Sequence, residues 1–222
     1  MKKAFALVLA LAMALTLVAC GGPPASSSAP ASGSASASAA SAGTAEGDAE
    51  YAVILKVLSS QYWQTMRDGI EAKAEELGIK VVIYAANTED DVEGQVSLLE
   101  NAISKGYKAI GVAPISDVNL NNAIADATEQ GIKIVNIDEA INMEALTELG
   151  GAVYAYVATD NVKVGQMGAE YLIEQIGGEG EVAIVEGKAG TINGDNRRDG
   201  ATETFEAAGL TAVDSQPPDW GR

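Results

Sequence analysis

From Tyr51 onward the chain alternates between two textures. Ala52-Val-Ile-Leu-Lys-Val-Leu58 is a short, mostly apolar run rich in β-branched residues, the pattern of a strand covered on both faces. Trp63 to Leu77 then places Met66, Ile70, Ala74 and Leu77 on one helical face, and Gly78 stands where a helix C-cap needs a left-handed residue. Lys80 to Ala86 restarts the cycle as a strand. Val92 to Ser104 reads as a helix, followed by Gly106 and a strand at Ala109 to Ala113. Val118 to Gln130 reads as a helix, followed by Gly131 and a strand at Lys133 to Ile137. Met143 to Ala152 interrupts the rhythm. It resumes with a strand at Val153 to Ala158, a helix at Val162 to Ile176, a strand at Glu181 to Val185, a helix at Arg197 to Ala208 and a strand beginning at Thr211 to Val213.

Repeated βα units of this length predict parallel strands joined by right-handed helical crossovers. The fold class is α/β: two doubly wound, Rossmann-like parallel-sheet lobes joined by a hinge. The first lobe is expected over 51–158 and the second over 159–222. The second has too few strands to close a sheet, so the chain reads as the front part of a longer protein.

The first fifty residues follow another logic. Lys2 and Lys3 precede an apolar run from Ala4 to Ala19 broken only by Thr16, and Leu17-Val18-Ala19-Cys20 ends it. A basic start, an apolar stretch and small residues before a cut predict a signal peptide over 1–19. The run is shorter than the ~20 residues a membrane span needs. Cys20 is the single cysteine, so disulfides are excluded. Residues 20–50 are otherwise Ala, Ser, Gly and Pro-rich, a composition that cannot bury enough apolar surface to order itself, and they predict a flexible tether.

The formal net charge is −17, which repels nucleic acid. Histidine is absent, removing the commonest general base and metal ligand. There is no G-x-G-x-x-G and no P-loop. Asn193 to Gly200 faintly suggests a calcium loop but lacks the EF-hand order and terminal Glu. No cofactor and no metal are expected.

Ligands of open α/β sheets bind beyond the carboxyl ends of the strands. That rule selects Ser59-Ser-Gln-Tyr-Trp63, Pro114-Ile-Ser116, Asp138-Glu139 and the stretch from Gly187 to Arg198. Together they hold aromatics, carboxylates and arginines, the mixture a sugar requires. Rings stack on its C–H faces, and charged groups hydrogen-bond its hydroxyls. Each candidate also has a plainer reading. Tyr62 and Trp63 can serve as core or as a hydrophobic staple. Asp138 can cap the next segment. Arg197 and Arg198 can be a solvated helix start, although cations are disfavoured there. Lys56 interrupts an apolar strand and needs a partner.

The N-terminal segment ending on Cys20 resembles the lipobox of bacterial lipoproteins, which implies lipidation of Cys20 and a membrane anchor on the outer cell face, more in keeping with a Gram-positive type. The folded part resembles the ribose/allose/galactose-binding group of the periplasmic-binding-protein type I family. The stretches that carry this are Tyr51 to Trp63, Val112 to Leu120, Val135 to Glu139, Ala158 to Gly165, Val185 to Gly190, Arg197 to Phe205 and Ser215 to Arg222. The resemblance implies a sugar bound between two lobes. It implies aromatic stacking by Tyr62 and Trp63, and polar contacts from Lys56 and Asp138. An arginine of the second lobe, Arg197 or Arg198, would reach the sugar, and Trp220 would add a further aromatic. Ser60 stands where many members have Asn. Glu139 replaces a common Arg, and with Lys56 it leans the ligand from ribose towards an allose-like hexose. Trp63→Ala is expected to abolish binding with little loss of fold.

The resemblance implies a monomeric, non-enzymatic binding component of an ABC importer, with the permease and its ATPase as partners. Sensory delivery of a sugar or autoinducer is the alternative. A periplasmic sugar hydrolase needs paired carboxylates, and Asp138 and Glu139, as neighbours on a strand, are expected to diverge. A DNA-binding repressor of this fold needs a helix-turn-helix where the Cys20 segment stands.

Overall fold

The computed structural model describes residues 49–217. The first half runs β1 (Tyr51–Leu55), α1 (Gln61–Leu77), β2 (Val81–Ala85), α2 (Val92–Ser104), β3 (Ala109–Val112), α3 (Asn121–Glu129), β4 (Lys133–Ile137), α4 (Met143–Glu148) and β5 (Ala155–Val157). Its five strands form one parallel sheet in the order β2-β1-β3-β4-β5. The order reverses direction at β1, which places a topological switch point between β1 and β3.

Strand alternation divides the core in two. Ala52 and Ile54 of β1 face a cluster that includes Leu98, Leu99 and Ala102 of α2, Ile124 and Ala127 of α3, and Leu146 of α4. Val53 and Leu55 of the same strand face the opposite way, onto Trp63, Met66 and Ile70 of α1. Helices therefore cover both faces of the sheet, which is why its central strands read as continuous apolar runs. Gly78 closes α1 with φ 65, and its N–H and that of Ile79 reach back to Glu75 O and Ala74 O, the left-handed cap foreseen from its position.

The second half contributes α5 (Asn161–Ile176), β6 (Val182–Val185), α6 (Ile192–Ala207) and β7 (Ala212–Gln216). β6 and β7 pair in parallel as a separate sheet. Ala169 of α5, Phe205 of α6, Val182 and Leu210 form its core. α5 and α6 meet backbone to backbone. A Cβ on Gly165 would lie 2.1 Å from Arg197 O, and one on Gly200 would lie 2.3 Å from Val162 O. Only glycine permits this crossing.

Two elements differ from the sequence pattern. α4 occupies the segment expected to be irregular; Asn142 caps it by accepting from Ala145 N at 3.0 Å. α6 starts five residues before Arg197, at Ile192, where Thr191 caps it by accepting from Gly194 N. After Ile192 its first turn continues with Asn, Gly and Asp, residues of low helix propensity that hide the start. Asn193 to Gly200 is thus helical, which removes the resemblance to a calcium loop. Among the described residues no helix is long and apolar enough to cross a membrane.

Candidate functional site

The carboxyl ends of β1, β2 and β4 converge with the start of α6 on a cavity of about 250 Å³. It is lined by Lys56, Ser60, Tyr62, Trp63, Glu89, Asp138, Glu139, Asn193 and Arg197. Ligand pockets typically run from roughly 300 Å³ upward, so this one suits a small solute. Strands of one parallel sheet all end on the same side, which gathers residues from distant parts of the chain into one crevice.

Lys56 follows the end of β1 and is buried. Its Nζ lies 3.3 Å from Glu139 Oε2 and 3.9 Å from Asp138 Oδ2, so the partner that its burial demands is present. Nζ also sits 5.9 Å from the Trp63 ring centroid. Asp138 and Glu139 do not diverge as expected. β4 ends at Ile137, and Asp138 turns the chain with φ 66, the sole positive φ among described non-glycine residues. Strand alternation no longer applies, and both carboxylates reach Lys56. Asp138 does not cap α4, a role Asn142 takes.

Tyr62 and Trp63 meet edge to face, with centroids 4.9 Å apart and planes at 85°. They differ in burial. Tyr62 is 48% exposed, whereas Trp63 is 3% exposed and packs with Leu55, Val57 and Ile83. Trp63 is core, and it also lines the cavity. The expectation that Trp63→Ala spares the fold is therefore corrected, since emptying such a site costs about 3–5 kcal/mol. The Tyr62 hydroxyl donates to Asp138 Oδ1 at 2.9 Å. Its phenol pKa is pushed up to about 12, chiefly by burial, then by the Asp138 charge and hydrogen bond, with Arg197 opposing. Ser60 precedes α1 without a side-chain capping bond and lines the cavity.

Glu89, in the loop after β2, accepts the Trp63 indole N–H at 3.0 Å. Sequence reasoning passed over it because nothing local marks that loop; applying the strand-end rule to β2 as well would have included it. Pro114 to Ser116, which the rule did select, does not line the cavity. There the buried Gln95 binds Ala113 O, Ile115 N and the Asn119 amide.

The opposite wall comes from α6. Arg197 lines the cavity, and its Nε donates to Asn161 Oδ1 at 2.6 Å. Arg198 does not line it. It pairs with Glu186, Asp195 and Asp199 on the surface, and the Asp199 hydrogen bond foremost raises its pKa. Successive helix residues point about 100° apart, so one arginine faces in and the other out. Both stand in the second turn of α6, so they are not a helix start. At the true start of the helix, the Ile192 N–H donates to Glu139 Oε1 at 2.8 Å, an anion at a helix N-terminus. Lys188 forms a second bridge to Asp90. Both bridges join the half built on β1–β5 to the half built on β6 and β7.

Cys20, the 1–19 segment, most of the 20–50 stretch and Trp220 lie outside the described residues. No group of three or more Cys, Asp or Glu among the described residues is placed to hold a metal ion.

Carboxylates, a lysine, an arginine, an asparagine and two aromatic rings thus line one cavity, a mixture chemically able to hydrogen-bond hydroxyls and stack on C–H faces. Comparisons agree with this chemistry. The chain is 50% identical over 176 residues to the D-allose-binding periplasmic protein of Escherichia coli K12, a match covering 78% of this chain and 57% of that protein. It is 30% identical to the D-ribose/D-allose-binding protein of Pseudomonas aeruginosa, covering 76% and 53%. Its structure superimposes with TM-score 0.72 and 34% identity on an ABC transporter periplasmic solute-binding protein from Actinobacillus succinogenes solved with bound D-allose, covering 78% of this chain and 59% of that one. The chain thus spans somewhat over half the length of the relatives it matches. Residues 51–222 match the periplasmic binding protein domain, and with the fold and site described above, the chain belongs to the periplasmic binding protein family.

Proposed function

We propose that this chain is the sugar-receiving portion of an extracytoplasmic solute-binding protein that serves an ABC importer. Its ligand is a monosaccharide, an allose-like hexose or ribose, held between two lobes that divide near residues 158 and 159. The cavity carries this reading. Lys56, Asp138 and the two aromatics come from one half, Arg197 and Asn193 from the other, so a ligand touching both stabilises the closed arrangement. Relatives named for allose and ribose support the same class.

Binding rather than hydrolysis is supported by how Glu139 is engaged. One oxygen faces Lys56 and the other accepts from Ile192 N, so the proton transfers a glycosidase requires would compete with both contacts. The 1–19 segment and Cys20 support secretion and lipid anchoring, and the chain acts as a monomer beside the permease and its ATPase.

Isothermal titration of the full chain against pentoses and hexoses tests this. Saturable heat with D-allose or D-ribose at one site per chain is the expected result. Heat with a nucleoside or an autoinducer, and none with any sugar, overturns it. In cells, Cys20→Ser releases the protein from the membrane fraction; retention would remove the anchor.

A further inference from the structure

Asn161 opens α5, is buried, and does not line the cavity. Its side chain nonetheless touches both second-wall residues that do. It accepts from Arg197 Nε at 2.6 Å and donates to Asn193 Oδ1 at 2.8 Å and to Thr159 O at 3.2 Å.

These contacts determine a direction. A guanidinium only donates, so the Asn161 oxygen must face Arg197. Its amide nitrogen is then left for Asn193 and Thr159 O. Asn193 must answer with its oxygen, which leaves its amide nitrogen as the group it presents to the cavity. The permanent charge of Arg197 thus propagates through Asn161 to set the orientation of Asn193. The glycine crossing reinforces this, because α5 lies directly against Arg197 O through Gly165.

We infer that Asn161 is a positioning and specificity-determining residue: it holds Arg197 and Asn193 together as a purely donating wall opposite the carboxylates of Asp138 and Glu139. This rests on the cavity being the ligand site. The ligand oxygens facing α6 then serve as acceptors, and those facing β4 as donors. A hydroxyl can do both, whereas the Arg197 guanidinium and the Asn193 amide nitrogen offer no acceptor to a ligand's ammonium.

The test compares Asn161→Leu, similar in size but unable to hydrogen-bond, with Asn161→Asp, which keeps an acceptor for Arg197 and loses the donor to Asn193. Titration of the full chain with D-allose and D-ribose gives affinity. The Arg197 Nε–H resonance, observed by ¹H–¹⁵N NMR without ligand, reports the contact itself. Asn161→Leu should lose about tenfold or more in affinity, the worth of one hydrogen bond to a charged group, and should shift the Arg197 resonance. Asn161→Asp should retain that resonance near its original position and recover part of the affinity. A packing role predicts the reverse order, with Leu tolerated and the buried Asp harmful. Affinity of Asn161→Leu within about twofold of the parent, less than a hydrogen bond's worth, or an unmoved Arg197 resonance, overturns the inference. If the parent binds neither sugar, the proposed ligand class fails, and the Arg197 resonance alone still decides the positioning claim. Should Asn161→Leu not fold, Asn161→Asp decides: a lost Arg197 resonance overturns the inference.

Discussion

Lys56 and Glu139 stand 83 positions apart in the chain, yet Lys56 Nζ lies 3.3 Å from Glu139 Oε2 with both side chains buried. The same glutamate accepts from Ile192 N at the start of α6. Glu139 is therefore shared between an ion pair within one half of the molecule and a hydrogen bond to the other. The end of β1, the end of β4 and the start of α6 are tied through one carboxylate.

Removing the cation should expose how much the fold depends on this arrangement. In Lys56→Met the Asp138 and Glu139 carboxylates lose their shared partner. Breaking a buried pair on one side costs about 3–5 kcal/mol, because the remaining charge stays desolvated. Denaturant unfolding should show a loss of that order, and Lys56→Met/Glu139→Gln should recover part of it. A double variant no more stable than the single one would mean that Glu139 carries little of the cost.

Tyr62 offers a spectroscopic handle. Its phenol is held protonated by burial and by the Asp138 carboxylate, with a pKa of about 12 against 10.0 for a free side chain. The folded value is the raised one, so the stabilisation it brings is complete below about pH 10 and disappears as pH rises through about 12. A difference titration of tyrosinate absorbance, parent minus Tyr62→Phe, should place the missing phenol near 12. A transition near 10 would show that the hydroxyl does not rest on Asp138.

The bridge between Asp90 and Lys188 joins the two halves, and Asp90 is 79% exposed in relative side-chain area. Exposed pairs are worth about 0–1 kcal/mol. Asp90→Lys should therefore weaken ligand binding by at most about fivefold at low salt, and by less at high salt, where charges are screened. The swapped pair Asp90→Lys/Lys188→Asp should restore it. Equal losses in the single and swapped variants, measured by titration at two ionic strengths, would exclude a closing role for this bridge.

Much of the architecture was legible because it rests on local rules. The apolar runs at β1 to β4 and the helical spacing of Met66 and Ile70 depend on neighbours a few residues away. So does the left-handed cap at Gly78. The start of α6 was hidden because its evidence is a threonine cap ahead of poor helix formers. The residues at the strand ends of β1 and β4 were legible as chemistry, since a lysine in an apolar strand asks for a counter-charge. Their geometry was not. One positive φ at Asp138 cancels the alternation from which divergence was expected.

By itself the sequence determined the βα alternation and the strand ends that had to carry the site. With the family resemblance it also singled out Lys56, Ser60, Tyr62, Trp63, Asp138, Glu139, Arg197 or Arg198, and Trp220 as candidates. Periodicity and propensity act along the chain, and there the text of the sequence is complete. Only the tertiary structure decided that Arg197 and not Arg198 faces the cavity, that Glu89 holds the Trp63 indole, and that Asn161 orients Asn193 behind the wall. Each of these depends on the distance between elements far apart in the chain. Sheet order and helix crossing set those distances: here the reversal at β1 and the contact of α5 with α6 through Gly165 and Gly200.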